Sequence, residues 1–284
     1  MGKRLDQDVT FIVKTLMRPN CLKRLLASVR KYYPTVRILV ADDSPNPYPD
    51  VSKPFGAEHF PLDYDTGASY GYNYCIDRVG TPFFLLLEDD YVFTLDTAIE
   101  RFVPLMALFD CLGGEVDKPK FEMRQAYEMF FEMDETSHTA SGLPILKTHR
   151  VPLAVGPTRA DVVLNFFCGR TELFQQVRFD DAQKVYRHLD LFLRLHYAGA
   201  RVATLPGVIV EHWPERHYQY SNLRAKLIPI YIQYFLDKWG LDHVVDAGWV
   251  ATRKHLGMIF GDDHPDLLYT RQALVQMGKE AVAA

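Results

Sequence analysis

Residues 9–43 read VTFIVKTLMRPNCLKRLLASVRKYYPTVRILVADD, and they decide the fold class. The run at 9–13 is apolar and rich in β-branched residues, which suits a strand. Asn20 stands where a helix N-cap is expected. Leu22, Leu25, Leu26, Val29 and Tyr33 then fall on one helical face, and Pro34 stops it. Residues 36–41 (VRILVA) form a second, nearly all-apolar strand. Strand, helix and strand this close in sequence make a βαβ unit with parallel strands. The second strand ends abruptly in Asp42-Asp43-Ser44, ahead of a proline-rich loop, PNPYP.

Farther along, residues 66–80 open with Gly67 and Gly71 and carry Tyr72, Cys75, Ile76 and Val79 at helical spacing. Residues 82–87 (PFFLLL) are apolar without alternation, as strands buried on both faces are, and Glu88-Asp89-Asp90 follow at once. The spacing predicts a helix over 96–109, and irregular structure over the polar stretch 115–160 with one helix near 122–133. It predicts a further helix over 188–198, with Leu189, Phe192 and Leu193 inward, and a strand over 201–211 that runs into His212. The pattern turns helical from Ser221. This alternation predicts an α/β fold: a mostly parallel sheet with helices on both faces over 1–220, and a helical extension over 221–284. Such sheets bind ligands beyond the carboxyl ends of their strands, where both acidic clusters fall.

Of the 284 residues, 48% are hydrophobic and 24% charged, which excludes a disordered, collagen-like or coiled-coil chain. Lys and Arg number 32 against 36 Asp and Glu, a net charge of −4, so no nucleic-acid partner is expected. Cys21, Cys75, Cys111 and Cys168 are scattered, which fits a reducing compartment. The opening MGKRLDQDVTF is too charged for a signal peptide, and PFFLLL is far too short to span a bilayer. A cytoplasmic location follows as an expectation. The apolar stretch 227–235 (LIPIYIQYF) is expected to pack on the main domain, with peripheral contact at the inner membrane face as the alternative.

Three adjacent carboxylates repel one another by roughly 1–4 kcal/mol per pair near a protein surface. A buried strand that ends in them calls for a counter-charge, and an all-oxygen set favours Mg²⁺ or Mn²⁺. A solvated acidic turn is the alternative.

The string LLLEDDYVF (residues 85–93) resembles the DXD motif of GT-A fold glycosyltransferases. The resemblance implies that Asp90 ligates the metal while Glu88 and Asp89 lie near the ribose and diphosphate of a nucleotide-sugar donor. FIVKTLMRPNCLKRLLASVRKYYPTVRILVADDS is similar to the first βαβ unit of ganglioside-type β-1,4-N-acetylgalactosaminyltransferases. LNFFCGRTELFQQVRFD and the later HLDLF resemble further blocks of that group. More distantly, the pattern resembles the broad inverting group that includes cellulose and chitin synthases, over roughly residues 8–215.

Several roles follow from the resemblance. Asp42-Asp43 contacts the uracil edge, the alternative being an Asx-turn before Pro45. Lys14 and Thr15 line the same pocket, and Arg18 meets a phosphate. The loop Asp65–Asn73 opens the helix under the donor. Relatives carry Arg just before Asn73, where this chain has Tyr72, so a cation is missing. His212 is a third metal anchor. Asp190 is the general base, with His188 second; complementing the helix dipole, or pairing with Arg194, is the structural alternative for Asp190. Asn165, Phe166, Phe167 and Arg170 border the acceptor, their aromatics either stacking on sugar or filling the core.

The implied function is metal-dependent, inverting transfer of a sugar from a nucleotide-sugar, a UDP-sugar by preference, to a hydroxyl of a glycan. One alternative is a sugar nucleotidyltransferase, against which KTLMRPNC, lacking glycine, counts. The other is an inactive nucleotide-sugar or glycan-binding relative, for which Glu88, Tyr72 and His188 are the departures to weigh.

Overall fold

The computed structural model describes residues 5–135, 141–215 and 218–246. A short helix α1 (Leu5–Asp8) leads into β1 (Val9–Thr15), and α2 (Pro19–Tyr32) returns the chain to β2 (Ile38–Asp42). The helix begins at Pro19 with Arg18 as N-cap, two residues before the expected Asn20. Proline lacks the N–H that the first turn leaves unpaired, so it starts a helix without loss. A one-turn helix α3 (Pro49–Ser52) precedes β3 (Glu58–Pro61). Helix α4 (Ala68–Ile76) precedes β4 (Phe83–Glu88), and the two-residue β5 (Tyr91–Val92) follows.

The expected helix over 96–109 is instead two 3-10 turns, Ile99–Arg101 and Val103–Ala107. Pro104 cannot donate a backbone bond, which breaks a continuous α-helix there. Next come β6 (Cys111–Lys118), β7 (Met123–Gln125), β8 (Tyr127–Asp134), β9 (Ile145–Pro152) and β10 (Thr158–Arg159). The helix expected near 122–133 is therefore a strand. Tyr127, Met129, Phe131 and Met133 alternate with Glu128, Phe130, Glu132 and Asp134, a period of two. The apolar set packs against the core, and β8 pairs antiparallel with β9 from Tyr127↔Pro152 to Asp134↔Ile145.

After β11 (Phe167–Arg170) come α5 (Thr171–Val177), α6 (Arg187–Tyr197), β12 (Val202–His212), α7 (Tyr218–Trp239) and β13 (His243–Asp246). The main sheet runs β10-β12-β6-β11-β4-β1-β2-β3, and β8, β9 and β13 form a second, smaller one. Strands β3, β2, β1 and β4 are mutually parallel. Strand β11 runs antiparallel between β4 and β6, and β12 runs parallel to β6. The carboxyl ends of β1, β2, β4, β6 and β12 therefore share one edge.

Side chains alternate across this sheet. Ile12, Leu39, Ala41 and Leu86 pack in one core with residues of α4, α6 and α7. Phe11, Val13, Ile38, Val40, Leu85 and Leu87 pack in the other against α2. In α7, Ile232, Phe235 and Leu236 are fully buried, while Ile230 and Tyr234 face solvent. The stretch 227–235 thus packs on the main body. Strand β13 pairs with β9, so 218–246 is woven into that body. The rest of the expected extension, 247–284, lies outside the described residues. Among the described residues no helix is long and apolar enough to cross a membrane.

Candidate active site

The acids at the end of β4 divide by environment. Glu88 is partly exposed, while Asp89 and Asp90 are 0% and 2% exposed. Asp89 turns into the interior: the Thr15 hydroxyl donates to its Oδ2 at 2.6 Å, and Arg18 Nε donates to the same oxygen at 3.2 Å. Tyr48 Oη lies 2.6 Å from Thr15 Oγ1 and accepts from the Arg18 backbone N–H at 3.1 Å. Because Thr15 donates to Asp89, Tyr48 must donate to Thr15. Burial pushes the Asp89 carboxyl up to about 6, against the pull of the Arg18 guanidinium. Of the two acids expected near a ribose and diphosphate, Asp89 is thus spent on internal contacts while Glu88 stays partly exposed, and Thr15, 1% exposed, is an internal brace beneath the acids.

Glu88, Asp90 and His212 come together. One ligand atom from each lies within 4.8 Å of the others. Two neighbouring strands cause this: β5 pairs antiparallel with β12 so that Tyr91 opposes His212, and the Trp213 N–H donates to the Asp90 carbonyl at 2.9 Å. His212 Nε2 sits 3.2 Å from Asp90 Oδ2. Burial opposes the Asp90 charge, but the His212 hydrogen bond and Arg18 outweigh it and hold this carboxyl well below its usual range. Around Mg²⁺ or Mn²⁺, with ligands about 2.1 Å away, adjacent ligand atoms stand about 3 Å apart and opposite ones about 4.2 Å. Asp90 Oδ1 and His212 Nδ1 are also buried without a hydrogen-bond partner. Two oxygens, one imidazole and orphaned ligand atoms at this spacing fit a divalent ion.

A cleft lined by Lys14, Asp65, Gly67, Lys184, Arg187, Tyr220 and Arg224 among others meets the triad where Arg187 faces Glu88. Its walls carry four cations. Lys14 Nζ pairs with Asp43 at 2.6 Å, Lys184 with Asp65 at 2.9 Å, and Arg187 with Glu88 at 3.8 Å. Arg224 donates to Tyr220 Oη at 3.1 Å. Gly67 has φ 96°, and a Cβ there would stand 2.9 Å from the Lys184 backbone, so the loop needs glycine to close against the cleft wall.

The expected nucleotide residues are placed as follows. Asp42 is fully buried and accepts from Ser44 N–H (2.9 Å) and Tyr48 N–H (3.1 Å), with His59 Nε2 at 3.0 Å. This is the Asx-type turn named as the alternative, and it shapes the loop above the site. Asp43 receives Lys14 and the Gly67 N–H at 2.9 Å. Asn73 is 1% exposed, and its amide staples α4 to Phe179 and Asp181, away from the cleft lining. A cation does stand next to Tyr72: Arg187 lies over its ring, 5.0 Å from the centroid. Asn165 donates to Glu88 at 3.1 Å. Phe166 and Phe167 are fully buried, so of the two readings they fill core, and Arg170 pairs with Asp110.

The two groups expected to take the acceptor proton are both engaged. Asp190, 1% exposed, pairs with Lys238 at 2.7 Å and accepts from Trp239 Nε1 at 2.9 Å. His188 Nε2 lies 2.6 Å from the Val163 carbonyl, so that nitrogen carries the proton and donates. Burial, with the nearby Arg187 charge, lowers the His188 pKa from 6.5 to about 4. A depressed base stabilises the fold fully above pH 6.5 and loses that contribution as pH falls towards 4, about 3 kcal/mol at most. Urea midpoints of wild type should fall across this window, and His188→Gln should flatten the fall. An identical slope in the variant would show that His188 does not carry it.

Sequence reading missed Tyr48, Lys184, Arg187, Tyr220 and Arg224. Tyr48, in the loop after Asp42-Asp43, and Arg187, just before HLDLF, lay beside quoted motifs; the others reach the site through tertiary packing.

Three comparisons bear on this geometry. The family model described as Glycosyl transferase family 2 matches residues 10–153. The chain is 31% identical to beta-1,4 N-acetylgalactosaminyltransferase 2 of Mus musculus over 218 residues, 74% of this chain and 40% of that protein. It is 32% identical to beta-1,4 N-acetylgalactosaminyltransferase 1 of Homo sapiens over 212 residues, 72% of this chain and 38% of that protein. It therefore spans about two-fifths of these relatives. Among solved structures, S. aureus TarS 1-349 in complex with UDP-GlcNAc aligns with TM-score 0.55 at 14% identity, covering 79% of this chain and 66% of that one. The mannosyltransferase PcManGT from Pyrobaculum calidifontis, in complex with GDP-Man and Mn²⁺, aligns with TM-score 0.55 at 12% identity, covering 97% and 74%. The fold is thus the GT-A α/β arrangement.

Proposed function

Because the chain belongs to glycosyl transferase family 2, we propose that it is a metal-dependent, inverting transferase that moves a sugar from a UDP-sugar to a hydroxyl of a glycan. The observation that carries this is the Glu88–Asp90–His212 cluster, joined through the Arg187–Glu88 contact to a cleft with cationic walls. Mg²⁺ or Mn²⁺ held by these three side chains would supply positive charge where the departing diphosphate gathers negative charge. Lys14, Lys184, Arg187 and Arg224 add a fixed cationic wall for the same phosphates. The Asp42–Ser44 turn, braced by Tyr48 and His59, gives the nucleotide base a rigid edge. Asp190 heads α6 and is the proposed base; to serve, it must be released by Lys238. Inversion follows from a single in-line attack and needs no nucleophilic side chain.

N-acetylhexosamine is the favoured sugar, supported by the names of the curated relatives and by the UDP-GlcNAc bound to one structural neighbour. The GDP-Man neighbour makes GDP-sugars the competing class. A thermal-shift series tests both, using UDP-GalNAc, UDP-GlcNAc, UDP-Gal and GDP-Man with Mn²⁺ or with EDTA. A UDP-sugar should stabilise the protein with Mn²⁺, and EDTA should remove the shift. A GDP-Man shift alone, or full shifts in chelator, would contradict the donor or the metal role. Nucleotide release on adding a glycan acceptor separates an enzyme from an inactive binding relative.

A further inference from the structure

We propose that Arg18 is the resident counter-cation of the acidic cluster, that a divalent ion replaces it on Asp90, and that this exchange couples ion binding to anion binding in the cleft. The proposal rests on the metal site proposed above. The Arg18 guanidinium forks across two carboxylates: Nη1 donates to Asp90 Oδ2 at 2.7 Å, Nε to Asp89 Oδ2 at 3.2 Å, and Nη2 contacts Asp89 Oδ1. Its side chain is 13% exposed, so this charge is almost wholly withdrawn from water. Asp90 Oδ2 is also the oxygen that faces His212 Nε2. One oxygen thus serves both the guanidinium and the triad. A dication on that oxygen would press directly on the Arg18 charge, and like charges at such range in a poorly solvated site repel strongly.

Arg18 has somewhere to go. It sits on the short loop between β1 and α2, and its guanidinium carbon lies 4.6 Å from the centre of the Tyr220 ring. Tyr220 belongs to α7 and lines the cleft with Lys14 and Arg187. A guanidinium that leaves Asp90 and stays on the Tyr220 face joins that cationic wall, where a diphosphate would meet it with paired N–H donors. Arg18 therefore neutralises the acids when no ion is present and grips the phosphate when one is. Coupling of this kind is reciprocal: ion and nucleotide each raise the affinity for the other by the same factor.

The test is Mn²⁺ titration of wild type, Arg18→Gln and Arg18→Lys, followed by calorimetry or by the free-ion EPR signal, with and without UDP. Removing the competing cation should make Arg18→Gln bind Mn²⁺ alone roughly tenfold more tightly than wild type, about 1.4 kcal/mol. UDP should tighten Mn²⁺ binding by roughly tenfold in wild type and by less than about threefold in Arg18→Gln. The metal-free variant should melt at a lower temperature, because Asp89 and Asp90 lose their cation. Arg18→Lys keeps the charge but cannot fork across both acids, so it should fall between the two and carries the test if Arg18→Gln does not fold. Unchanged or weaker Mn²⁺ binding by Arg18→Gln would overturn the exchange, as it would if the ion entered through the unpartnered Asp90 Oδ1 with Arg18 in place. Failure of the metal reading itself looks different: wild type would bind no Mn²⁺, or His212→Gln would bind it as well as wild type.

Discussion

Replacing Asp90 with Asn is expected to lower kcat/KM by about a thousandfold or more while the protein stays folded. A thousandfold corresponds to about 4 kcal/mol of lost transition-state stabilisation, the scale of a metal's electrostatic contribution. The prediction follows from where the charge sits. Asp90 Oδ2 faces both Arg18 and His212, and those two contacts keep the carboxyl ionised at any working pH. The amide keeps the shape, removes the anion, and leaves His212 and Glu88 too weak a set for a dication. Arg18 retains Asp89, so the fold should survive with a shift of a few degrees in Tm. Turnover within tenfold of wild type, measured with Mn²⁺ and a UDP-sugar, would remove Asp90 from the chemistry.

The second large effect is expected at Asp190. Its carboxylate is buried, and Lys238 bridges it to Asp180, at 2.7 Å and 2.6 Å. Removing one partner from a buried ion pair costs about 3–5 kcal/mol, and the second acid on Lys238 reduces this to roughly 2–4 kcal/mol. For a body of this size that is a fall of about 5–10 °C in Tm. Asp190→Asn should show this loss, and as the proposed base it should also lose kcat by about a hundredfold or more at a temperature where it is folded and still binds UDP. Lys238→Met should show the stability loss yet keep turnover within about tenfold. Equal turnover in the two variants would make Asp190 an anchor for α7 and no more.

Much of this was legible in the chain itself. Apolar strands at 9–13, 36–41 and 82–87 predict the parallel half of the sheet, and a further strand predicts where His212 falls; that His212 joins the acids was implied by the family resemblance alone. These are local signals, because strands buried on both faces are apolar throughout. The stretch 115–160 hid its strands because Glu128, Glu132 and Asp134 share one face of β8, so a count of polar residues masked a period of two. Asp89 and Asn73 show a different limit. Sequence neighbours of a site are not always members of it: one turns inward to brace Arg18, and the other staples a loop. Arg187 shows the converse, since no local pattern announces that a residue of α6 lays its guanidinium over the Tyr72 ring. Long-range packing brings the two together, and only the folded chain displays it.

The proposed function stands on Glu88, Asp90 and His212 holding a divalent ion beside a diphosphate in the cationic cleft. A crystal grown with Mn²⁺ and UDP, measured at the manganese absorption edge, tests it most directly. One anomalous peak is expected, about 2.0–2.3 Å from a carboxylate oxygen of Asp90 and from a ring nitrogen of His212, with phosphate oxygens completing its shell. A peak bound elsewhere, or UDP fully ordered in the cleft with no metal at these three residues, would contradict it.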